Sequence, residues 1–419
     1  MDLRLQQANI NKQASTISIT GSKSETNRLL LLQALYPNLT LENTSNSDDS
    51  EVMEQALHPI PNTQYPIPIN INHAGTAMRF LTAYFAIQEG SEVIVTGSSR
   101  MKERPIKILV DALKQLGAEI TFIENEGFPP IKITGKKLTQ NKVSLAANVS
   151  SQYISALLLI APKLENGLEL TLEGAITSMP YIQMTLALLN EIGVTTSFEN
   201  NTITVNPKAE TQHPTPITIE SDWSSASYYY SIVALSEIGT QITLSSYKQN
   251  SLQGDAALVE IYKDFGVETT LNKNNSILIK KVANCQLSIV NYQLNNSPDI
   301  AQTIAVTCFG LGIGCYLTGL HTLKIKETDR LEALKTELTK LGASISVTSD
   351  SLTLQMSASN FVIAKKITIA TYQDHRMAMA FAPLALKISL VIEDAEVVSK
   401  SYPTFWNDLK TIGFQISEL

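Results

Sequence analysis

The stretch LKTELTKLGASISV, residues 334–347, carries the clearest structural signal in the chain. Leu334, Leu338 and Leu341 recur at helical spacing, Gly342 interrupts them, and Ala343, Ile345 and Val347 then alternate with serines. This is the pattern of an amphipathic helix, a left-handed C′ residue and a half-buried strand. It recurs as LVDALKQLGAEITF, LALLNEIGVTTSF, LVEIYKDFGVETTL and WNDLKTIGFQI. The glycines are Gly117, Gly193, Gly266, Gly342 and Gly413, separated by 76, 73, 76 and 71 residues. That period exceeds solenoid repeats and implies α+β units of about 70 residues.

A sixth, degenerate unit is expected at the front. DDSEVMEQAL begins a helix there, and the prolines of HPIPNTQYPIPI replace the glycine turn. Six units arranged three and three give two similar lobes. One lobe would span residues 21–219 and the other residues 220–419.

Composition sets the class. With 419 residues, 44% hydrophobic and 17% charged, the chain is long enough for two globular domains. No apolar run approaches a bilayer span, so no membrane partner is expected. The start, MDLRLQQANINKQ, has no apolar signal core. Cys285, Cys308 and Cys315 lack metal or redox spacing and read as thiols of a reducing compartment, so the cytoplasm is expected. A net charge of −7 disfavours a nucleic-acid partner but leaves room for small anionic ligands in a locally positive site.

Arginine is scarce. Of 32 basic residues only seven are Arg, at positions 4, 28, 79, 100, 104, 330 and 376. The guanidinium is the side chain for bidentate binding of phosphate and carboxylate. Arg28, Arg79, Arg330 and Arg376 lie at polar helix starts, within TGSKSETNRLLLL, HAGTAMRFL, KIKETDRLEAL and TYQDHRMAMAF. Arg104 precedes Pro105 in RMKERPIKIL. Further polar helix starts are NVSSQYISALL, ESDWSSASYYY and NNSPDIAQTI, the last with Ser297 as N-cap and Pro298 at N1. A cation in the first helical turn opposes the macrodipole. The opposition is relieved when an anion sits on the free N–H groups. The arrangement reads as an anion-binding site. The alternative for KIKETDR alone is a solvated terminus with side-chain pairs worth about 0.2–0.5 kcal/mol each.

The ordered motifs GSKSETNR, AGTAMRFL, RMKERPI, VSSQY, SPDIAQT, KIKETDRL, YQDHRMAMAF and KSYPTFW resemble the 5-enolpyruvylshikimate-3-phosphate synthase family over essentially the whole chain. The resemblance implies an α/β (α+β) fold, inverse α/β barrel-like, with two lobes of three βαβαββ units and a substrate cleft between them. It also implies that residues 1–20 join the lobe of residues 220–419. The implied reaction moves the enolpyruvyl group of phosphoenolpyruvate to the 5-hydroxyl of shikimate 3-phosphate, releasing phosphate on the route to chorismate and aromatic amino acids. It implies no cofactor, no metal, and a monomer.

By resemblance, shikimate 3-phosphate would meet Lys23, Ser24, Arg28, Ser150, Ser151, Gln152, Ser178, Tyr181, Asp299 and Lys326. Phosphoenolpyruvate would meet Lys23, Gly75, Arg104, Gln152, Arg330, Arg376 and Lys400. Arg79 and His375 would be supporting residues. Asp299 is implied as the base at the 5-hydroxyl, and Glu327 or Lys23 as the proton donor to the alkene carbon. Each such proton transfer is worth about 10²–10⁴-fold. Lys326 and Arg330 are expected one turn apart on one helix face, with Glu327 between them and Asp329 orienting or pairing with a neighbouring cation.

Three positions depart from the family pattern: His73 stands where Asn is usual, Met179 where Lys is common, and Thr322 at an Asn position. Glyphosate, a competitor for the phosphoenolpyruvate site in this family, is expected to bind if Gly75 keeps its place. Two rival readings are enolpyruvyl transfer to UDP-N-acetylglucosamine and a phosphate- or RNA-binding scaffold built on related repeats. The first is disfavoured because GSSRMKERPI lacks a reactive cysteine, the second by the acidic balance and the KETDR carboxylates.

Overall fold

The computed structural model describes residues 1–10, 15–58, 66–147, 150–174, 176, 179–211, 216–356 and 367–419. Ser178 and the segment 59–65 lie outside the described residues. The chain separates into two compact units, Met1–Gly21 with Glu220–Leu419 and Ser22–Ile219. Among the described residues, no helix is long and apolar enough to cross a membrane.

Among the described residues, one repeat builds five four-stranded sheets. In the strands Ile67–Asn70, Glu92–Thr96, Glu119–Phe122 and Ile131–Thr134, the first two pair in parallel across the helix Gly75–Ala86. The third and fourth form an antiparallel hairpin, and its fourth strand pairs with the second. The spatial order 1-2-4-3 recurs in Lys142–Ala146, Leu168–Glu173, Thr196–Glu199 and Thr202–Val205. It recurs again in Ile289–Gln293, Gly314–Thr318, Ile345–Val347 and Ser351–Leu354.

Two sheets of the discontinuous unit borrow a strand from the N-terminus. Ser15–Ile17 pairs in parallel with Gln241–Leu244, supplying the first strand of that repeat. Leu3–Leu5 pairs with Leu390–Ile392 and Ile416–Glu418, supplying the fourth strand of the last one. The degenerate front unit contributes the helix Asp48–Leu57 and the strand Leu41–Glu42, which pairs in parallel with Ile217–Thr218.

All five repeat glycines have positive φ, from 76° at Gly266 to 109° at Gly413. At each, the next residue donates to the carbonyl five residues back: Ala118 to Leu113, Val194 to Leu189, Val267 to Tyr262, Ala343 to Leu338 and Phe414 to Leu409. Each glycine N–H also bonds three residues back. These paired bonds satisfy helix-end carbonyls in the Schellman manner and turn the chain into the next strand.

The most apolar sequences form the interior helices. Trp223–Leu235, Ala301–Leu311 and Ser151–Ile160 are buried on nearly every side, as helices apolar all round must be. Their few hydroxyls pair with one another: Ser227 Oγ lies 3.0 Å from Thr303 Oγ1, and Thr307 Oγ1 lies 2.8 Å from Ser231 Oγ. Both contacts span the same offset in sequence, so the two helices run parallel and start at the same end. Such satisfied pairs contribute about 0.5–1.5 kcal/mol each, whereas a buried hydroxyl left alone would cost more.

The glycine turns differ in their surroundings. A Cβ at Gly413 would meet nothing closer than 3.6 Å, whereas one at Gly266 would run into the Ala283 carbonyl oxygen. Gly413→Ala is therefore expected to lose only the left-handed penalty of about 1–2 kcal/mol, and Gly266→Ala distinctly more. Denaturant unfolding of both variants checks this; equal losses would contradict it.

Candidate functional site

In the discontinuous unit the charges converge on one guanidinium. Arg330 is 2% exposed and opens the helix Arg330–Lys340. Its Nε donates to Asp374 Oδ2 at 2.6 Å, its Nη1 to Asp299 Oδ1 at 2.8 Å, and its Nη2 to Glu327 Oε2 at 2.8 Å. Further cations surround the same carboxylates. Lys400 Nζ reaches Glu327 Oε1 at 2.7 Å, Lys326 Nζ lies 3.4 Å from Asp299 Oδ1, and Arg376 Nη2 lies 3.5 Å from Asp299 Oδ2. Removing one partner from such a buried set leaves uncompensated charge, which costs about 3–5 kcal/mol.

Helix caps hold these groups in place. Asp374, fully buried, is the N-cap of His375–Phe381 and accepts from the Arg376 N–H at 2.9 Å while gripping Arg330. Asp299 sits in the 3-10 turn Pro298–Ile300 that leads into Ala301–Leu311. Ser297 precedes this turn without a side-chain capping bond, and Pro298 occupies its start as expected. Ser224, at the start of Trp223–Leu235, accepts from Arg376 Nη2 at 3.2 Å and donates to Asp255.

The electrostatics of the two acids diverge. Burial alone would raise the Asp299 carboxyl, but Lys326, Arg376 and Arg330 outweigh it and hold it below its ordinary value. Asp255 has the cation Arg376 beside it and two repelling carboxylates, Asp299 and Asp222. Burial first, then the charge of Asp299, pushes it up to about 7. One carboxylate is thus fixed in its ionised form while another takes up a proton near neutrality.

Two expectations for KETDR change. The helix starts at Arg330, so Lys326 is not on it; Lys326 follows the 3-10 turn His321–Ile325. Asp329 is not an ion-pair partner but the N-cap, accepting from Leu331 N–H at 3.1 Å and Glu332 N–H at 3.2 Å. The short Asp side chain satisfies two orphan N–H groups there. Glu327, three residues before Arg330, meets its Nη2 at 2.8 Å.

The continuous unit carries a second cluster. Arg28, 2% exposed, donates to Ser24 O at 2.7 Å, Thr185 Oγ1 at 2.8 Å and Ser155 Oγ at 2.9 Å. Its Cζ lies 5.4 Å from the Phe80 ring centroid and 5.8 Å from that of Tyr181. These neighbours are neutral, and burial pulls the guanidinium down to about 10. Lys23 Nζ pairs with Asp49 Oδ2 at 3.1 Å. Ser150 caps Ser151–Ile160, accepting from Gln152 N–H at 3.4 Å, and Ser151 is buried beside it.

Gly75 and Arg104 are in direct contact. A Cβ on Gly75 would stand 2.5 Å from Arg104 Nη1 and 3.0 Å from its Cζ, so only glycine lets the guanidinium lie over the start of Gly75–Ala86. Gln152 reaches the same helix start, its Nε2 donating to Thr76 Oγ1 at 3.0 Å. Arg79 ties the parts together from beneath, donating to Gly75 O and Pro105 O, both at 3.0 Å. Burial, then repulsion from Arg104, pulls Arg79 down to about 10.

Arg28 and Arg79 sit in the second turn of their helices, Arg79 one turn in as expected and Arg28 beyond the first turn. Helical side chains tilt toward the N-terminus, and both therefore fold back onto a carbonyl four residues earlier. The structure groups Gly75, Arg104, Gln152 and Arg79; Arg28, Ser24 and Tyr181; and Asp299, Lys326, Glu327, Arg330, Arg376 and Lys400. His375 is 2% exposed, its Nδ1 3.8 Å from Asp374 Oδ1. The hydroxyl of Thr322 is buried without a hydrogen-bond partner among the described residues. Sequence reading did not single out Asp255, Thr185 or Ser155, because nothing local in LQGDAAL, MTLAL or ISALL marks them.

Comparison with known proteins agrees with these motifs. Residues 38–409 match the family model described as EPSP synthase (3-phosphoshikimate 1-carboxyvinyltransferase). A 3-phosphoshikimate 1-carboxyvinyltransferase of Bacteroides fragilis is 46% identical over 405 residues, covering 96% of each chain. One from Haemophilus influenzae is 35% identical over 433 residues, covering 97% of this chain and 98% of its own. Among solved structures, an EPSP synthase from Acinetobacter baumannii shares the fold with a TM-score of 0.77 at 20% identity, covering 100% of both chains. An enolpyruvyl transferase from Streptomyces tendae gives 0.73 at 14% identity, covering 99% of this chain and 98% of its own. With two relatives above 30% identity and a family match over most of its length, the chain belongs to the EPSP synthase (3-phosphoshikimate 1-carboxyvinyltransferase) family.

Proposed function

We propose that the protein transfers the enolpyruvyl group of phosphoenolpyruvate to the 5-hydroxyl of shikimate 3-phosphate, with release of phosphate, as a cytoplasmic monomer. The carrying observation is the group of four cations, Lys326, Arg330, Arg376 and Lys400, held around two carboxylates of unlike role, Asp299 and Glu327. Addition to phosphoenolpyruvate requires a base for the hydroxyl, an acid for the alkene carbon and cations for two multiply charged substrates.

Asp299 is the base in this reading. Its ionised state is secured, but the surrounding cations make it a weak acceptor. A substrate phosphate or carboxylate that draws Lys326 or Arg376 toward itself returns basicity to Asp299 at the moment of use. Glu327 is braced by Arg330 and Lys400, and in this reading it delivers the proton to the alkene carbon. Lys23 is the second candidate for the proton donor. Lys400, Arg330 and Arg376, with Gly75, Arg104, Gln152 and Lys23, serve phosphoenolpyruvate. Lys23, Ser24, Arg28, Ser150, Ser151, Gln152, Ser178, Tyr181, Asp299 and Lys326 serve shikimate 3-phosphate, with Arg79 and His375 as supports.

Phosphate release tests the assignment. Incubation with phosphoenolpyruvate and shikimate 3-phosphate is expected to release phosphate, and substitution of UDP-N-acetylglucosamine as acceptor is expected to abolish it. The reverse preference would overturn the reading. Asp299→Asn is expected to lower kcat about 10²–10⁴-fold with little change in calorimetric substrate binding; retained turnover would strip Asp299 of its role. Gly75→Ala must displace the Arg104 guanidinium. It is expected to raise KM for phosphoenolpyruvate about tenfold or more without weakening shikimate 3-phosphate, and an unchanged donor KM would contradict that placement.

A further inference from the structure

Glu337 is fully buried on the helix Arg330–Lys340, in a position where a leucine would pack without desolvation cost. Its carboxylate is spent on one loop. It accepts from Tyr372 Oη at 2.6 Å and from the Ala370 N–H at 3.3 Å, with Lys340 Nζ closing the solvent side at 2.7 Å. The loop needs holding. Tyr372 and Gln373 are consecutive non-glycine residues at φ 54° and 56°, in the left-handed region that side chains disfavour. The next residues are Asp374, His375 and Arg376. Asp374 N–H closes the turn onto Thr371 O at 2.9 Å, and its carboxylate returns to Arg330 on the same helix.

The two anchors, Arg330 and Glu337, stand seven residues apart on one buried face of that helix and grip the loop at two points, Asp374 and the Ala370–Tyr372 pair. We propose that Glu337, through Tyr372, is a positioning residue for the enolpyruvyl-donor site: the bracket imposes the strained 371–373 turn, and that turn aims the Arg376 guanidinium at Asp299 and Ser224. The proposal rests on the reading above that Arg376 contacts phosphoenolpyruvate. Glu337 touches no substrate. Its effect passes through backbone geometry and therefore falls on the donor, leaving the acceptor untouched.

Tyr372→Phe and Glu337→Gln in the full chain test this. Tyr372 is 38% exposed, so removing its hydroxyl leaves the core intact. Tyr372→Phe is expected to raise KM for phosphoenolpyruvate about tenfold, with kcat within about twofold and KM for shikimate 3-phosphate unchanged. Glu337→Gln, which replaces one of the two acceptor oxygens by an NH2 group and removes the charge that holds Lys340, is expected to do at least as much. The double variant is expected to do no more than Glu337→Gln alone, because both act on one bracket. Amide hydrogen exchange at residues 371–377 is expected to accelerate in both single variants while that of residues 331–338 stays as in the parent. Unchanged donor KM with unchanged exchange would overturn the proposal. So would an equal weakening of both substrates with lowered Tm, which marks a merely structural role. If the parent protein shows no transferase turnover, the functional reading falls, and exchange at residues 371–377 alone decides whether the bracket exists.

Discussion

A single buried guanidinium, Arg330, fixes three carboxylates that would otherwise repel one another. Asp299 belongs to the turn before one interior helix, Asp374 caps another, and Glu327 lies in the turn ahead of Arg330 itself. Separate stretches of chain are thereby pinned at one point. The planar fork of Arg supplies the several fixed directions this needs, which a Lys ammonium on a flexible stem does not. Lys326, Arg376 and Lys400 complete the balance from the periphery.

The helices bring these groups together because they are packed in parallel. The Ser227–Thr303 and Ser231–Thr307 contacts keep two interior helices in register, so their starts, bearing Ser224 and Asp299, stay level. In the continuous unit Arg28 bridges its helix to Ser155 and Thr185, and Gln152 joins the starts of two helices through Thr76. Buried hydroxyls and amides act as register pins in both units, and the polar helix starts are the consequence.

The repeats were legible because their signal is local. A glycine after helical spacing reports a left-handed residue wherever it occurs, and all five such positions adopt it. Scarce arginine was legible for a related reason, since four of the seven lie in motifs that open helices. The partners of those arginines were not. Asp374 meets Arg330 from 44 residues away, and Asp255 meets Ser224 from 31, so only folding brings them to the cluster. Strand exchange was equally hidden: nothing in LRL says that it pairs with both LVI and ISE at the far end of the chain. The start of the KETDR helix was misread because capping by Asp329 prevails over the continuous run of helix-forming residues before it.

The cation set predicts an unusual titration for Asp299. A carboxyl held below its ordinary value adds stability above the unfolded value of about 3.9 and loses it as pH falls through the folded value. Following the Asp299 carboxyl carbon by NMR in the substrate-free protein tests this most directly. The account predicts a shift that stays flat from about pH 7 to about pH 4, the carboxylate ionised throughout. A midpoint at or above about 3.9 would show that Arg330, Arg376 and Lys326 do not act on it together, and the account would fail.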